Sequence, residues 1–136
     1  MTAQAPSVFR AVVLPSSDAY SQDTPTRRLL GQLGHDVTRA ASPDHAMQLI
    51  DSDHTDLLVV DITNNANREM VESLMELPES KRPDQMAVFS DTIDGQLREW
   101  RRSAPSQVHV FLKPLHMHGL LTVLRQLEKQ HARADA

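Results

Sequence analysis

The chain has 136 residues, 40% hydrophobic and 24% charged, with a formal net charge of −4 and a sequence pI near 5.9. That length suits one domain with a single core, and the acidic balance argues against a general binder of nucleic acid or membrane surfaces, which is ordinarily basic. Cysteine is absent, which excludes disulfides, thiolate chemistry and cysteine-based zinc or iron–sulfur sites.

Residues 1–7 and 131–136 read as flexible tails on one unit, 8–130, with no linker to a further domain. Met1 to Ser7 lacks the apolar stretch of a signal peptide. No apolar run approaches the roughly 20 residues that span a bilayer. The expected location is the cytoplasm, with no membrane contact.

Phe9 to Leu14 is the first strand, stopped by Pro15-Ser16-Ser17-Asp18, with a polar loop on to Asp23. Thr24-Pro25 supplies a cap followed by proline at the first helical position, where its missing N–H costs nothing. Leu29, Leu30 and Leu33 give this helix its apolar side, and Gly34 ends it. Asp36 to Ala40 is a weak second strand, expected near the sheet edge. Ser42-Pro43-Asp44 repeats the cap-then-proline signal, and Ala46, Leu49 and Ile50 recur at helical spacing.

The stretch Asp56-Leu57-Leu58-Val59-Val60-Asp61-Ile62 organises the chain. Four large apolar residues in a row, two of them β-branched, lie between carboxylates. Such a run reads as a strand buried on both faces of a mainly parallel sheet. An Asn-rich loop from Thr63 to Asn67 follows, then a third helix marked by Met70, Val71, Leu74 and Leu77 that ends before Pro78. After a loop over Glu79 to Asp84, Met86 to Phe89 forms the fourth strand, ending at Ser90. Ile93, Leu97 and Trp100, spaced i, i+4, i+7, predict a fourth helix closed by Pro105. Val108 to Leu112 is the fifth strand, stopped by Lys113-Pro114. Leu120, Val123, Leu124 and Leu127 make the last helix strongly amphipathic.

Five strand–helix units in alternation imply right-handed crossovers and an α/β fold, its parallel sheet covered on both faces. The expectation is a flavodoxin-like, doubly wound (βα)5 sandwich with strand order 2-1-3-4-5. In such a sheet all carboxyl ends of strands share one edge, where ligands bind. Leu14, Pro15, Asp61, Ser90 and Lys113 then meet around one crevice. A carboxylate can attack phosphorus, a hydroxyl can bond a phosphoryl oxygen, and an ammonium can neutralise charge.

Over Phe9 to Gln130 these features resemble the receiver domain of two-component response regulators: Asp61 ends the third strand, Ser90 the fourth, and Lys113-Pro114 closes the fifth. The resemblance implies that Asp61 is the phosphoacceptor position, Ser90 the hydroxyl that moves toward the phosphoryl group, and Lys113 the invariant lysine. It also implies a cis bond before Pro114. Receivers carry an acidic pair after the first strand that holds Mg²⁺ with the phosphoacceptor. Here those positions are Leu14 and Pro15. Mg²⁺ takes a near-octahedral set of oxygens, usually including carboxylates, so the remaining donors make a poor site. Without the ion, the charge that builds up in phosphoryl transfer is not offset. Asp18 and Asp23 are the carboxylates the loop could substitute. Val110 replaces the family's signalling aromatic and has no ring to rotate. These departures are similar to those of pseudo-receivers, which bind partners without the usual switch. Lys113 is expected to pair with Asp61 in the absence of phosphate, while the simpler reading of Asp61 is a strand-end carboxylate that caps the next loop.

The functional expectation is a non-enzymatic, atypical, stand-alone receiver in two-component or phosphorelay signalling, acting through protein–protein contact and without a cofactor. One alternative is a phosphorylation-competent receiver that takes phosphate on Asp61 from a histidine kinase, with Mg²⁺ at a rebuilt site. Another is a small-ligand sensor using the strand-end pocket and the hydroxyl-rich Ser16-Ser17 loop. Expected partners are a histidine kinase or a downstream effector. Arg98, Arg101 and Arg102 form a basic stripe at i, i+3, i+4 on the fourth helix. A charge run is usually a solvated face, but arginine is also enriched at interfaces. The resemblance makes this helix, the fifth strand with Val110 and the last helix the partner or homodimer surface. His116-Met117-His118 is the densest cluster among seven histidines, and it lacks a third ligand, so no metal site is assigned. No HExxH, GxxxxGK or GxGxxG pattern occurs, which argues against a nucleotide cradle.

Overall fold

In the computed structural model, which describes residues 8–15, 28, 30–113 and 117–134, the apolar run Leu57–Asp61 (β3) is the middle strand of the sheet. Its neighbours are β1 (Arg10–Leu14) and β4 (Gln85–Ser90), flanked by β2 (Asp36–Arg39) and β5 (Val108–Leu112). The order is β2-β1-β3-β4-β5 and every pairing is parallel, as the alternating pattern predicts. Helix α1 is described at residues 28 and 30–32. The others are α2 (Pro43–Ser52), α3 (Asn65–Glu76), α4 (Gly95–Ser103) and α5 (Met117–Ala134), with a 3-10 turn at Glu79–Lys81.

Because successive side chains of a strand point to opposite faces, the core divides into two layers. Val12, Leu14, Leu58, Val60 and Val88 face one side with Ala46, Ile50, Met70, Val71, Leu74, Leu97 and Trp100, so α2, α3 and α4 cover it. Ala11, Val13, Leu57, Val59 and Ala87 face the other, covered by Leu30 of α1 and Leu120, Val123, Leu124 and Leu127 of α5. Every residue of β3 is buried. Among the described residues, no helix is long and apolar enough to cross a membrane.

Capping fixes where the helices begin. Ser42 Oγ accepts the His45 N–H at 3.0 Å, Asn64 Oδ1 accepts that of Asn67 at 2.8 Å, and Asp94 Oδ1 accepts that of Leu97 at 3.1 Å. Each satisfies an amide with no partner inside the helix. The bond from the Leu97 amide is also the main reason the Asp94 carboxyl is held below its ordinary range.

Several boundaries differ from the sequence expectation. The Asn-rich stretch is largely the cap and first turn of α3, since asparagine serves a helix start as well as a loop. Ile93 lies before α4 and is 38% exposed, because Asp94 takes the cap position and shifts the helix start to Gly95. Leu33 is 46% exposed, whereas Leu30 is fully buried. Helix α5 continues to Ala134, past the Gln130 boundary expected for the unit. Thr24-Pro25 and Leu29 lie outside the described residues.

Helix α1 ends in a Schellman motif: the His35 N–H reaches the Leu30 carbonyl at 3.0 Å and the Gly34 N–H reaches that of Gly31 at 3.0 Å. Gly34 has φ 84°, a conformation in which a Cβ is strained. Gly34→Ala should therefore cost about 1 kcal/mol, seen as a lower urea midpoint at unchanged slope. A variant as stable as the parent would show that the turn does not depend on glycine.

Two histidines tie stability to pH. The His35 ring stacks on Phe9 with centroids 4.9 Å apart, and its Nδ1 accepts the Phe9 N–H at 3.2 Å. His109 of β5 bonds the buried Gln85 amide oxygen through Nε2. Burial is the main cause lowering both pKa values below the ordinary 6.5, and Arg101 adds to it at His109. A group whose folded pKa is depressed binds more protons when unfolded, so its stabilising effect is present above 6.5 and lost as pH falls through the folded value. The melting temperature should fall between about pH 7 and pH 5.5, and His35→Gln should flatten that slope. An unchanged slope in the variant would remove His35 from the account.

Candidate functional site

Strand register brings the sequence-predicted residues to one edge. Asp61, the last residue of β3, is level with Phe89, and Ser90 follows it at the end of β4. Ser90 pairs with Leu112, so Lys113 comes next beyond the end of β5. Leu14 pairs with Val60, which brings Pro15 level with Asp61. The Lys113 N–H donates to the Ser90 carbonyl at 2.9 Å, fixing where the lysine leaves the sheet.

Asp61 is fully buried, so its carboxylate needs compensation. Oδ1 accepts two bonds from Thr63, one from the backbone N–H at 2.9 Å and one from the hydroxyl at 2.6 Å. The backbone bond is an Asx turn, in which an aspartate holds the amide two residues on. Oδ2 lies 2.8 Å from Lys113 Nζ, an ion pair whose side chains are 1% and 15% exposed. Among the described residues no hydrogen-bond donor is aligned on Oδ2, so the ammonium charge is what offsets it. Lys113 Nζ also donates to Thr63 Oγ1 at 3.0 Å, closing a ring of three side chains. One Asp61 oxygen caps the following loop and the other pairs with Lys113.

Sequence reasoning missed two members of this network. Thr63 had a legible signal, an Asp-x-Thr at the end of a strand, which is a turn former. Asn67 had none. Buried in the first turn of α3, it donates from Nδ2 to the Asp61 carbonyl at 2.7 Å and the Pro15 carbonyl at 3.1 Å, joining β1 to β3 at the rim.

Among the described rim residues, Asp61 and the Pro15 carbonyl are already engaged by other groups. Mg²⁺ needs about six oxygens in a near-octahedral shell. Leu14 is apolar and buried, the Pro15 carbonyl is engaged by Asn67, and the two Asp61 oxygens are held by Thr63 and Lys113. Asp18, Asp23, the bond to Pro114, His116 and the side chains of Met117 and His118 lie outside what the structure describes. Elsewhere, Arg98, Arg101 and Arg102 are exposed on α4, and Arg102 pairs with Glu99 at 3.3 Å. Val110 is half-buried on β5.

Removing one partner of a buried pair leaves the other charge uncompensated. Lys113→Met should destabilise the fold by about 3 kcal/mol, and adding Asp61→Asn should recover most of that loss. Additive losses in this double-mutant cycle, measured by urea unfolding, would show that the pair carries no coupling.

No protein-family model and no curated protein matches the sequence. Solved structures do match the fold. A CheY-like response regulator receiver domain protein from Methanospirillum hungatei JF-1 superposes with a TM-score of 0.73 at 18% identity, over 93% of this chain and 99% of that one. Chemotaxis protein CheY4 of Vibrio cholerae gives 0.69 at 14% identity, over 89% and 99%. A response regulator receiver protein from Pseudomonas putida gives 0.69 at 15% identity, over 90% and 99%. With the sheet order, the two helical layers and the rim residues already in place, the conclusion is that this chain has the fold of CheY-like response regulator receiver domains.

Proposed function

We propose that the protein is an atypical receiver in two-component or phosphorelay signalling, working by protein–protein contact rather than by Mg²⁺-dependent phosphoryl transfer. The observation that carries this reading is the state of the described rim donors: the Asp61 carboxylate is already engaged twice by Thr63 and once by Lys113, beside an apolar Leu14 and an occupied Pro15 carbonyl. A nucleophilic carboxylate must reach phosphorus with charge neutralised around the transferred group. Here, among the described residues, the Lys113 ammonium neutralises the carboxylate itself.

The partner surface in this reading is the face of α4, β5 and α5. Arg98, Arg101 and Arg102 supply positive charge, and Leu112 adds an exposed apolar side chain beside the half-buried Val110. A basic rim around apolar contacts suits a partner, kinase or effector, with an acidic docking face. A homodimer would use the same face. The unit from residue 8 onward is the functional module in this proposal.

A second reading has one observation in its favour. Asp61, Ser90 and Lys113 do converge at adjacent strand ends, the set that a phosphoacceptor receiver needs apart from its metal. Phosphate from a kinase phosphohistidine would then go to Asp61, with Mg²⁺ held by carboxylates beyond the described residues. A small-ligand sensor at the rim has no such observation. A groove of about 650 Å³ lies at the other edge of the sheet, lined by Met47, Ile50, His54 and Lys81 among others.

Intact mass spectrometry after incubation with a small phosphodonor, with and without Mg²⁺, separates the readings. No adduct is expected under conditions that fully label an ordinary receiver. A single Mg²⁺-dependent phosphoryl adduct, absent from Asp61→Asn, would overturn the proposal in favour of the second reading.

A further inference from the structure

We infer that the amino-terminal edge of the sheet carries a site for a divalent transition-metal cation of the zinc type, formed by His54, Asp56 and Asp84. The site lies at the end of the sheet opposite Asp61 and is independent of the rim chemistry. Asp56 immediately precedes β3 and Asp84 immediately precedes β4, with His54 two residues before Asp56, so the two carboxylates are set by adjacent strand starts.

Two of the three ligand separations suit a tetrahedral shell. His54 Nε2 lies 3.0 Å from Asp84 Oδ2 and 3.4 Å from Asp56 Oδ1, and one ligand atom from each of the three residues lies within 4.8 Å of the other two. Zinc bonds imidazole nitrogen and carboxylate oxygen at about 2.0–2.1 Å, which places tetrahedral ligands about 3.3 Å apart. The two measured separations bracket that value. Carboxylate oxygens of Asp84 and Asp56 both face His54 Nε2. A cation at the common point would meet one imidazole nitrogen and two carboxylates, with His54 carrying its proton on Nδ1.

The supports are those of a held ligand set. Asp56 Oδ2 accepts the Arg10 N–H at 2.8 Å, which turns the carboxylate so that Oδ1 is the atom nearer His54. The Asp56 backbone is clamped on both sides, its N–H to Arg10 at 2.9 Å and its carbonyl to Gln85 at 2.9 Å. The Asp84 N–H reaches the Thr55 carbonyl at 3.2 Å. Asp53 Oδ1 accepts the His54 N–H at 2.9 Å. Two carboxylates and a neutral imidazole balance a dication, and the mixed N/O set favours zinc over Mg²⁺ or Ca²⁺, which prefer oxygen shells. The His54 side chain is 59% exposed, so water can complete the shell. The Arg10 guanidinium sits on the Asp53 and His54 carbonyls at 2.9 and 3.3 Å and opposes the cation, so binding should be moderate rather than tight.

The test uses the full chain, stripped with chelator and titrated with ZnCl2 by calorimetry. Co²⁺ is then bound in its place, its visible absorption reporting tetrahedral coordination. One equivalent should bind, and saturating zinc should raise the melting temperature by roughly 5 °C, since a ligand of the folded state stabilises it by mass action. His54→Asn and Asp84→Asn change exposed or half-exposed side chains and should each weaken binding at least about tenfold. A His116→Asn/His118→Asn variant should bind as the parent does. Failure to bind zinc, or binding that survives both His54→Asn and Asp84→Asn, would overturn the proposal, as would loss in the His116/His118 variant alone.

Discussion

Two-sided burial of β3 is the constraint on which the rest depends. Five successive residues, Leu57 to Asp61, are removed from water, and their side chains enter both helical layers in turn. Only a parallel sheet with helices on each face accommodates that, and parallel pairing puts every strand's carboxyl end on one edge. The same requirement buries the carboxylate with which β3 ends. An ionised group in that position must be matched by charge and hydrogen bonds or it would cost several kcal/mol. Thr63 and Lys113 are the local answer, and Asn67 ties the adjacent backbone in place.

That answer shapes the chemistry available at the rim. Among the described rim residues, the Asp61 carboxylate is matched to the Lys113 ammonium and the Thr63 hydroxyl, the Asn67 amide donates to carbonyls, and Leu14 is apolar. The fold alone does not decide function, because one fold hosts many sites.

The two edges of the sheet differ in kind. At the carboxyl edge the charges are buried and closed on each other. At the amino edge, Arg10 gathers carbonyls from Leu49, Asp53 and His54, and Arg82 gathers those of Leu74, Met75 and Leu77, so cationic side chains complete the ends of α2 and α3. His54, Asp56 and Asp84 stand among these anchors with their donor atoms turned together. Function at this edge would act on stability and on the spacing of β3 and β4.

The sequence by itself determined the strands, their alternation with helices and the sheet order, because each signal is local: an apolar run, a cap before a proline, an apolar stripe at helical spacing. It also determined which residues end β3, β4 and β5, and so the presence of Asp61, Ser90 and Lys113 on one edge. Helix starts near Asn64 and Asp94 were less legible, since asparagine and aspartate favour caps and loops for the same hydrogen-bonding reason. Only the tertiary structure decided who holds whom. Thr63 and Lys113 are 50 residues apart, Asn67 and Pro15 are 52, and His54 and Asp84 are 30. Hydrophobic periodicity is read within one element, but a hydrogen bond or a metal shell needs atoms placed to a few tenths of an ångström. Those positions follow from strand register and layer packing, which no single stretch of the chain contains.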